Sequence, residues 1–318
     1  MSMNRREFLS ATAAMGVAMA SGIPLSAAEM KTKLYKAMIV QKINEDELKK
    51  LKDAGFDGVE TSAILPPAEA EKGRAIAEKT GMKIHSVLRG WAEFNSKDPA
   101  KVESSWKLSA DALRAAAAYG ASAVLLVPCR IGGMPMPEAW DFNIEFDEKN
   151  GHITKVVDGD NSKYQQYIEA HNYSTDSSVE QVKKLIPVAE ESKVFIALEN
   201  VWNNLWVKPA IFKHFVASFN HPMVKAYFDI GNHVKYAPPQ DWIKALGLLT
   251  VKYHVKDFKL NADGHGGTFV HPRDGSIDWP LVRKTIDDVG YNGFLTIEDG
   301  GLPLAEFSRR LDLIIAGK

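Results

Sequence analysis

Four ionisable residues stand at the ends of short apolar runs in the second half of the chain. They are Glu199 in IALEN, Asp229 in YFDIG, His254 in KYHVKDF and Glu298 in LTIED. Carboxylates and an imidazole are a ligand set for a divalent ion such as Mn, Mg, Co or Zn. A single acid at a strand end carries little weight, because such residues often cap the next helix. Four on successive strands could converge on one ion.

Side-chain alternation adds candidates for substrate contact. Lys256 lies two residues after His254 and so shares its face. Glu60 ends an earlier strand-like run, and His85 lies on the next, with Arg89 at the same parity. Arg130 ends a fourth run, and His233 follows Asp229 by four residues. Plainer readings stand beside these. Lys256 could be a structural ion pair or a solvated loop residue, and Glu60 and His85 could be satisfied buried polar groups. The stretch NVWNNLW (200–206) suits either a stacking platform for a sugar ring or ordinary packing.

The elements that would position these residues alternate along the chain. Strand-like runs fall at 33–40, 57–62, 83–90, 122–131, 195–201, 224–233, 251–258 and 294–300, separated by stretches of helical spacing. Strands alternating with helices imply a parallel sheet, and eight such units at this length favour a closed (β/α)8 TIM barrel, an α/β fold, over an open sheet. Its active site is expected where the strands end. No GxGxxG or GxxxxGK[ST] loop follows any strand, which weakens dinucleotide and nucleoside-triphosphate readings. After the fourth run, residues 142–159 alternate on either side of Asn150-Gly151 and read as a β-hairpin excursion. Its place after the fourth run is expected to put it over the catalytic face, as a lid on a larger substrate.

Composition bounds the partners. The chain has 318 residues, 45% hydrophobic and 25% charged, with a formal net charge of -1, so no basic excess points to nucleic acid. The lone cysteine, Cys129, permits no internal disulfide and reads as a buried small hydrophobe. The first residues differ from the rest. A basic NRREFLS, an apolar ATAAMGVAMASGIPL and a small-residue SAAEM occur in that order. With the pair Arg5-Arg6, this resembles a Tat export signal, with cleavage expected after Ala28 and a barrel over 29–318. The mature chain is then periplasmic or otherwise exported, with no membrane span. The oligomeric state stays open, and a homo-oligomer is compatible with the sequence.

In order, GVE, HS, LEN, FDIGN, HVKD, GSIDWPLV and TIED resemble the xylose isomerase-like barrel superfamily and, within it, the sugar phosphate isomerase/epimerase group, over roughly residues 33–316. In that family a Glu, Asp, His, Glu set binds one divalent metal, often manganese. The matching positions are Glu199, Asp229, His254 and Glu298. The resemblance implies proton abstraction next to a sugar carbonyl through a metal-stabilised ene-diolate, with Glu199 and Glu298 as acid and base on opposite faces of a small carbohydrate. Two positions depart from the pattern. The epimerases have a further acid six residues after the first ligand, where Leu205 stands, and many members have a histidine three residues after the aspartate, where Asn232 precedes His233. These departures bear on substrate and stereochemistry. They leave the ligand set intact.

An isomerase or epimerase is therefore expected. A 3-ketoglycoside lyase using the same metal site is the alternative, and export favours it. An exported sugar-binding protein without activity fits less well. So does a multi-zinc endonuclease, which needs more histidines and a basic face.

Overall fold

The apolar runs become strands buried on both faces, as a parallel sheet wrapped in helices requires. The computed structural model describes residues 30–318, so the signal-like segment expected at 1–28 lies outside the described residues. Thr32–Lys318 form one compact unit. Eight parallel strands close on themselves: β1 (Leu34–Val40), β2 (Gly58–Thr61), β3 (Lys83–Trp91), β4 (Ala123–Val127), β7 (Phe195–Leu198), β8 (Val224–Asp229), β9 (Thr250–Val255) and β12 (Gly293–Ile297). Around the barrel the order is β1-β12-β9-β8-β7-β4-β3-β2. The expected (β/α)8 barrel is the fold observed.

Helices α1 (Glu45–Asp53), α2 (Pro67–Lys79), α3 (Pro99–Tyr119), α4 (Gln165–Ser192), α5 (Pro209–Ala217), α6 (Pro239–Leu246), α7 (Trp279–Asp288) and α8 (Leu304–Ile315) alternate with the barrel strands. Local chemistry sets their ends. Asn44 caps α1 by accepting from the N–H groups of Asp46 and Glu47, and Gly120 closes α3 in the left-handed conformation. Arg283 of α7 is buried and ties the segment before β1 to the end of α8, donating to Thr32 O and Ile315 O at 3.0 Å each. Cys129 is buried beside Ser178, and burial pushes its thiol up to about 12. Among the described residues no helix is long and apolar enough to cross a membrane.

Several barrel strands stop earlier than their apolar runs. The sixth run was expected to continue to 233, yet β8 ends at Asp229. There Asp229 Oδ1 accepts from the N–H groups of Gly231 and Asn232 at 2.8 and 2.7 Å. That side-chain turn takes the backbone out of the ladder.

Two hairpins interrupt the alternation. The Asn150-Gly151 hairpin forms, with β5 (Glu145–Phe146) antiparallel to β6 (Ile153–Lys155). It does not lie over the mouth as a lid. Ile153 exchanges two hydrogen bonds with Asn172 of α4, His152 Nε2 lies 2.8 Å from Asp176 of α4, and His214 of α5 bonds Glu148 O. The tip is thus clasped to the outer helices. Trp140, just before the excursion, stacks on His265, and Phe142, its first residue, packs against Tyr236, both in loops at the strand ends.

The second hairpin was not anticipated. It joins β10 (Asp257–Leu260) to β11 (Gly267–Val270) immediately after β9. Its glycine-rich connection, NADGHG, hides the pairing in the sequence. Asp257 organises it, accepting from the N–H groups of Phe258, Arg273 and Gly275 and from Trp279 Nε1. A Cβ on Gly275 would fall 2.0 Å from Asp257 Oδ1, so no larger residue fits there.

Candidate metal centre and active site

The four strand-end residues meet. One ligand atom from each of Glu199, Asp229, His254 and Glu298 lies within 4.8 Å of all the others. Asp229 and His254 are on β8 and β9, while Glu199 and Glu298 each come one residue after a strand. Their N–H groups still bond the neighbouring strands, at Leu126 O and Val255 O, which aims both side chains into the barrel mouth. None of the four caps a helix. The cap positions of α5 to α8 are Lys208, Pro238, Asp278 and Pro303.

The donors suit a divalent cation. Asp229 Oδ2 is buried and has no hydrogen-bond partner. His254 uses Nε2 on Glu60 Oε2 at 2.7 Å, which leaves Nδ1 facing the cluster. That Nδ1 lies 2.7 Å from Glu298 Oε2 but makes no hydrogen bond of proper geometry. Three carboxylates and one imidazole with two buried, unsatisfied donor atoms form a set that an oxygen- and nitrogen-preferring ion completes.

The electrostatics of the ion-free cluster reflect crowding. Burial and the Glu298 charge push Glu199 up to about 8. Asp229 is also raised, by burial above all, against the pull of Lys256. Burial alone would pull His254 down, but the charges of Glu60 and Glu298 outweigh it and hold its pKa well above 6.5. Burial would raise Glu298, but His254 and Lys256 bring it down to about 2.

Lys256 joins this set. Its Nζ lies 2.9 Å from Glu298 Oε1, 3.6 Å from Asp229 Oδ2 and 3.4 Å from Asn232 Oδ1. Asn232, which stands where many family members have histidine, also donates from Nδ2 to Glu199 Oε1 at 3.3 Å. The other candidates scatter. Glu60 is fully buried beneath His254 and also accepts from Tyr227 and Ser86. His85 is buried in the barrel, stacked on Phe294 and bonded to Thr296 Oγ1. His233 points into packing, with Nε2 on Asn200 O and its ring against Trp242. Arg130 is exposed, over the ring of Trp91.

The tryptophan-rich stretch divides. Trp206 is buried and stacked on Phe215, and Leu205 is buried beside it. Trp202 borders the candidate ligand cluster instead, through Asn232. Its Nε1 donates to Asn232 O at 2.6 Å, Lys235 Nζ lies 3.5 Å from its ring, and Phe269 lies 5.0 Å from it. Phe269 and Tyr227 escaped the sequence reading. Phe269 belongs to the unanticipated hairpin, and Tyr227 shares parity with Asp229, a signal that would have flagged it.

Residues 48–311 match the family described as xylose isomerase-like TIM barrel. The chain belongs to that family. No curated protein matches. Solved structures of the same barrel do. A xylose isomerase domain protein from Planctomyces limnophilus superposes with a TM-score of 0.65 at 15% identity, over 90% of this chain and 97% of that one. The apo form of 3-keto-D-glucoside 4-epimerase from E. coli gives 0.66 at 13% identity, over 89% and 100%. A xylose isomerase-like TIM barrel protein from Mycobacterium smegmatis, in complex with magnesium, gives 0.58 at 18% identity, over 86% and 87%. These likenesses show the shared xylose isomerase-like fold.

Proposed function

We propose that this xylose isomerase-like chain is a divalent-metal-dependent sugar isomerase or epimerase. The observation that carries the reading is the convergence of Glu199, Asp229, His254 and Glu298 with Lys256 against them. Glu199, Asp229, His254 and Glu298 would hold the ion, manganese first with magnesium, cobalt or zinc as alternatives, which when bound would supply Lewis-acid chemistry. Glu298, partly open to solvent, removes the proton beside the carbonyl as a carboxylate. Glu199, the buried carboxylate of the cluster, takes up a proton relayed from solvent and delivers it to the opposite face of the carbanion, while Glu298 releases to solvent the proton it removed. Lys256 and Asn232 donate hydrogen bonds to the oxygens that gain charge, a contribution strongest in a site with little water.

A second reading has its own support. Trp91, the last residue of β3, and Trp140 and Phe269, on segments that follow β4 and β9, are 47%, 43% and 42% exposed. Aromatic rings around the mouth suit a glycoside larger than one sugar. The same carbanion in a 3-ketoglycoside would expel the glycosidic oxygen, making the enzyme a lyase. We also propose Tat-dependent export to the periplasm, which favours substrates without phosphate.

The test is metal analysis of the purified protein, then incubation in D2O with a panel of ketoses and 3-ketoglycosides. Deuterium at the carbon beside the carbonyl, with inversion or carbonyl shift, supports isomerase chemistry. Released aglycone supports elimination. A metal-loaded protein that exchanges no deuterium into any member of the panel would overturn both.

A further inference from the structure

Glu60 is a carboxylate with no exposed surface, placed inside the barrel on β2. A buried charge is costly unless its partners compensate, and apolar residues of similar volume often serve the fold equally well. Glu60 nevertheless has three hydrogen-bond partners: His254 Nε2 at 2.7 Å, Tyr227 OH at 2.7 Å and Ser86 Oγ at 3.3 Å. The ring of Tyr227 also packs on that of His254, with centroids 4.4 Å apart.

These contacts bear on a choice that an imidazole must make. When neutral it carries one proton, on either nitrogen, and only the bare nitrogen can bind a cation. A carboxylate only accepts. Against Glu60, His254 must keep its proton on Nε2, so the lone pair falls on Nδ1, the nitrogen that faces Glu199, Asp229 and Glu298. Tyr227 serves twice, holding the carboxylate through its hydroxyl and the imidazole plane through its ring. We propose that Glu60, steadied by Tyr227, is a positioning residue that fixes the tautomer and plane in which His254 offers Nδ1 to the ion. This rests on the metal-centre reading above, and it makes Glu60 a part of the metal site instead of a substrate contact.

The test uses nitrogen-15 NMR of the zinc-loaded wild-type protein, together with zinc and manganese affinities of Glu60→Gln and Glu60→Leu. In the wild type, His254 should show a proton on Nε2 and a metal-shifted Nδ1. Glu60→Gln keeps an acceptor but loses the charge, and Glu60→Leu loses both. We expect each to weaken ion binding, by about ten- to a hundredfold, with Glu60→Leu the weaker binder. The rise in Tm that saturating ion produces should shrink in step, whereas a purely structural role would lower Tm equally with and without ion. Coordination through Nε2 in the wild type would overturn the proposal whether or not the variants fold. So would wild-type ion affinity in both folded variants. A wild-type protein that binds no divalent ion would instead bring down the metal-centre reading itself, and this proposal with it.

Discussion

The ammonium of Lys256 lies 2.9 Å from Glu298 Oε1, inside a cluster of carboxylates. A lysine placed there offsets negative charge before an ion arrives and is free to turn to a substrate oxygen once the ion is bound. Lys256→Met should therefore leave divalent-ion affinity unchanged or tighter, while turnover falls about a hundredfold, the scale of losing one donor to a developing oxyanion. Calorimetry and steady-state rates on the metal-loaded variant measure the two effects. Wild-type turnover would return Lys256 to a structural ion pair.

The ligand set makes a sharper prediction. Asp229→Ala and His254→Ala should each lose the ion, as read by elemental analysis after gel filtration. Glu298→Gln keeps one oxygen for weak coordination but no effective base. It should retain some metal and lose proton exchange by at least about a hundredfold. Normal metal content in both alanine variants would exclude the cluster as the binding site. Full exchange in Glu298→Gln would spare the metal site but remove Glu298 from proton transfer.

Ion loading should depend on pH with a definite sign. In the ion-free protein, burial and the charge of Glu298 push Glu199 to about 8, so near neutrality it holds a proton. His254 also holds two protons there, because Glu60 and Glu298 outweigh its burial. The ion binds the deprotonated forms, so protons leave as it enters. Affinity should fall as the pH drops below about 8, by at least about one log unit per pH unit. Titration calorimetry in buffers of different ionisation enthalpy counts the protons. A pH-independent affinity would show that neither group is protonated in the free site.

Export can be tested apart from catalysis. Replacing both Arg5 and Arg6 with lysine should hold the uncleaved chain in the cytoplasm, and cell fractionation with mass measurement of the N-terminus reads the outcome. Normal processing of the double variant would remove the Tat assignment.

Much of this protein follows from sequence periodicity alone. Eight apolar runs separated by helical stretches imply the barrel, and the acids and histidine at the last four run ends imply the site, because the strands of a parallel barrel all end at one face. Asn150-Gly151 marks its hairpin for an equally local reason, the left-handed backbone that a tight turn demands. What the tertiary structure decided is depth and neighbourhood. Alternation says that Glu60 and His254 point inward, but not that barrel closure brings them, 194 positions apart, to 2.7 Å. It cannot tell that His85 meets Phe294 below the mouth while Lys256 meets Glu298 within it. Nor does it separate Trp206, sealed against Phe215, from Trp202 beside Asn232 of the candidate site, or show that the excursion's tip rests on α4 and α5. Inward or outward is a property of the local backbone. Which inward residues share a layer depends on the stagger of eight strands closed into a ring, a relation that no single stretch of sequence contains.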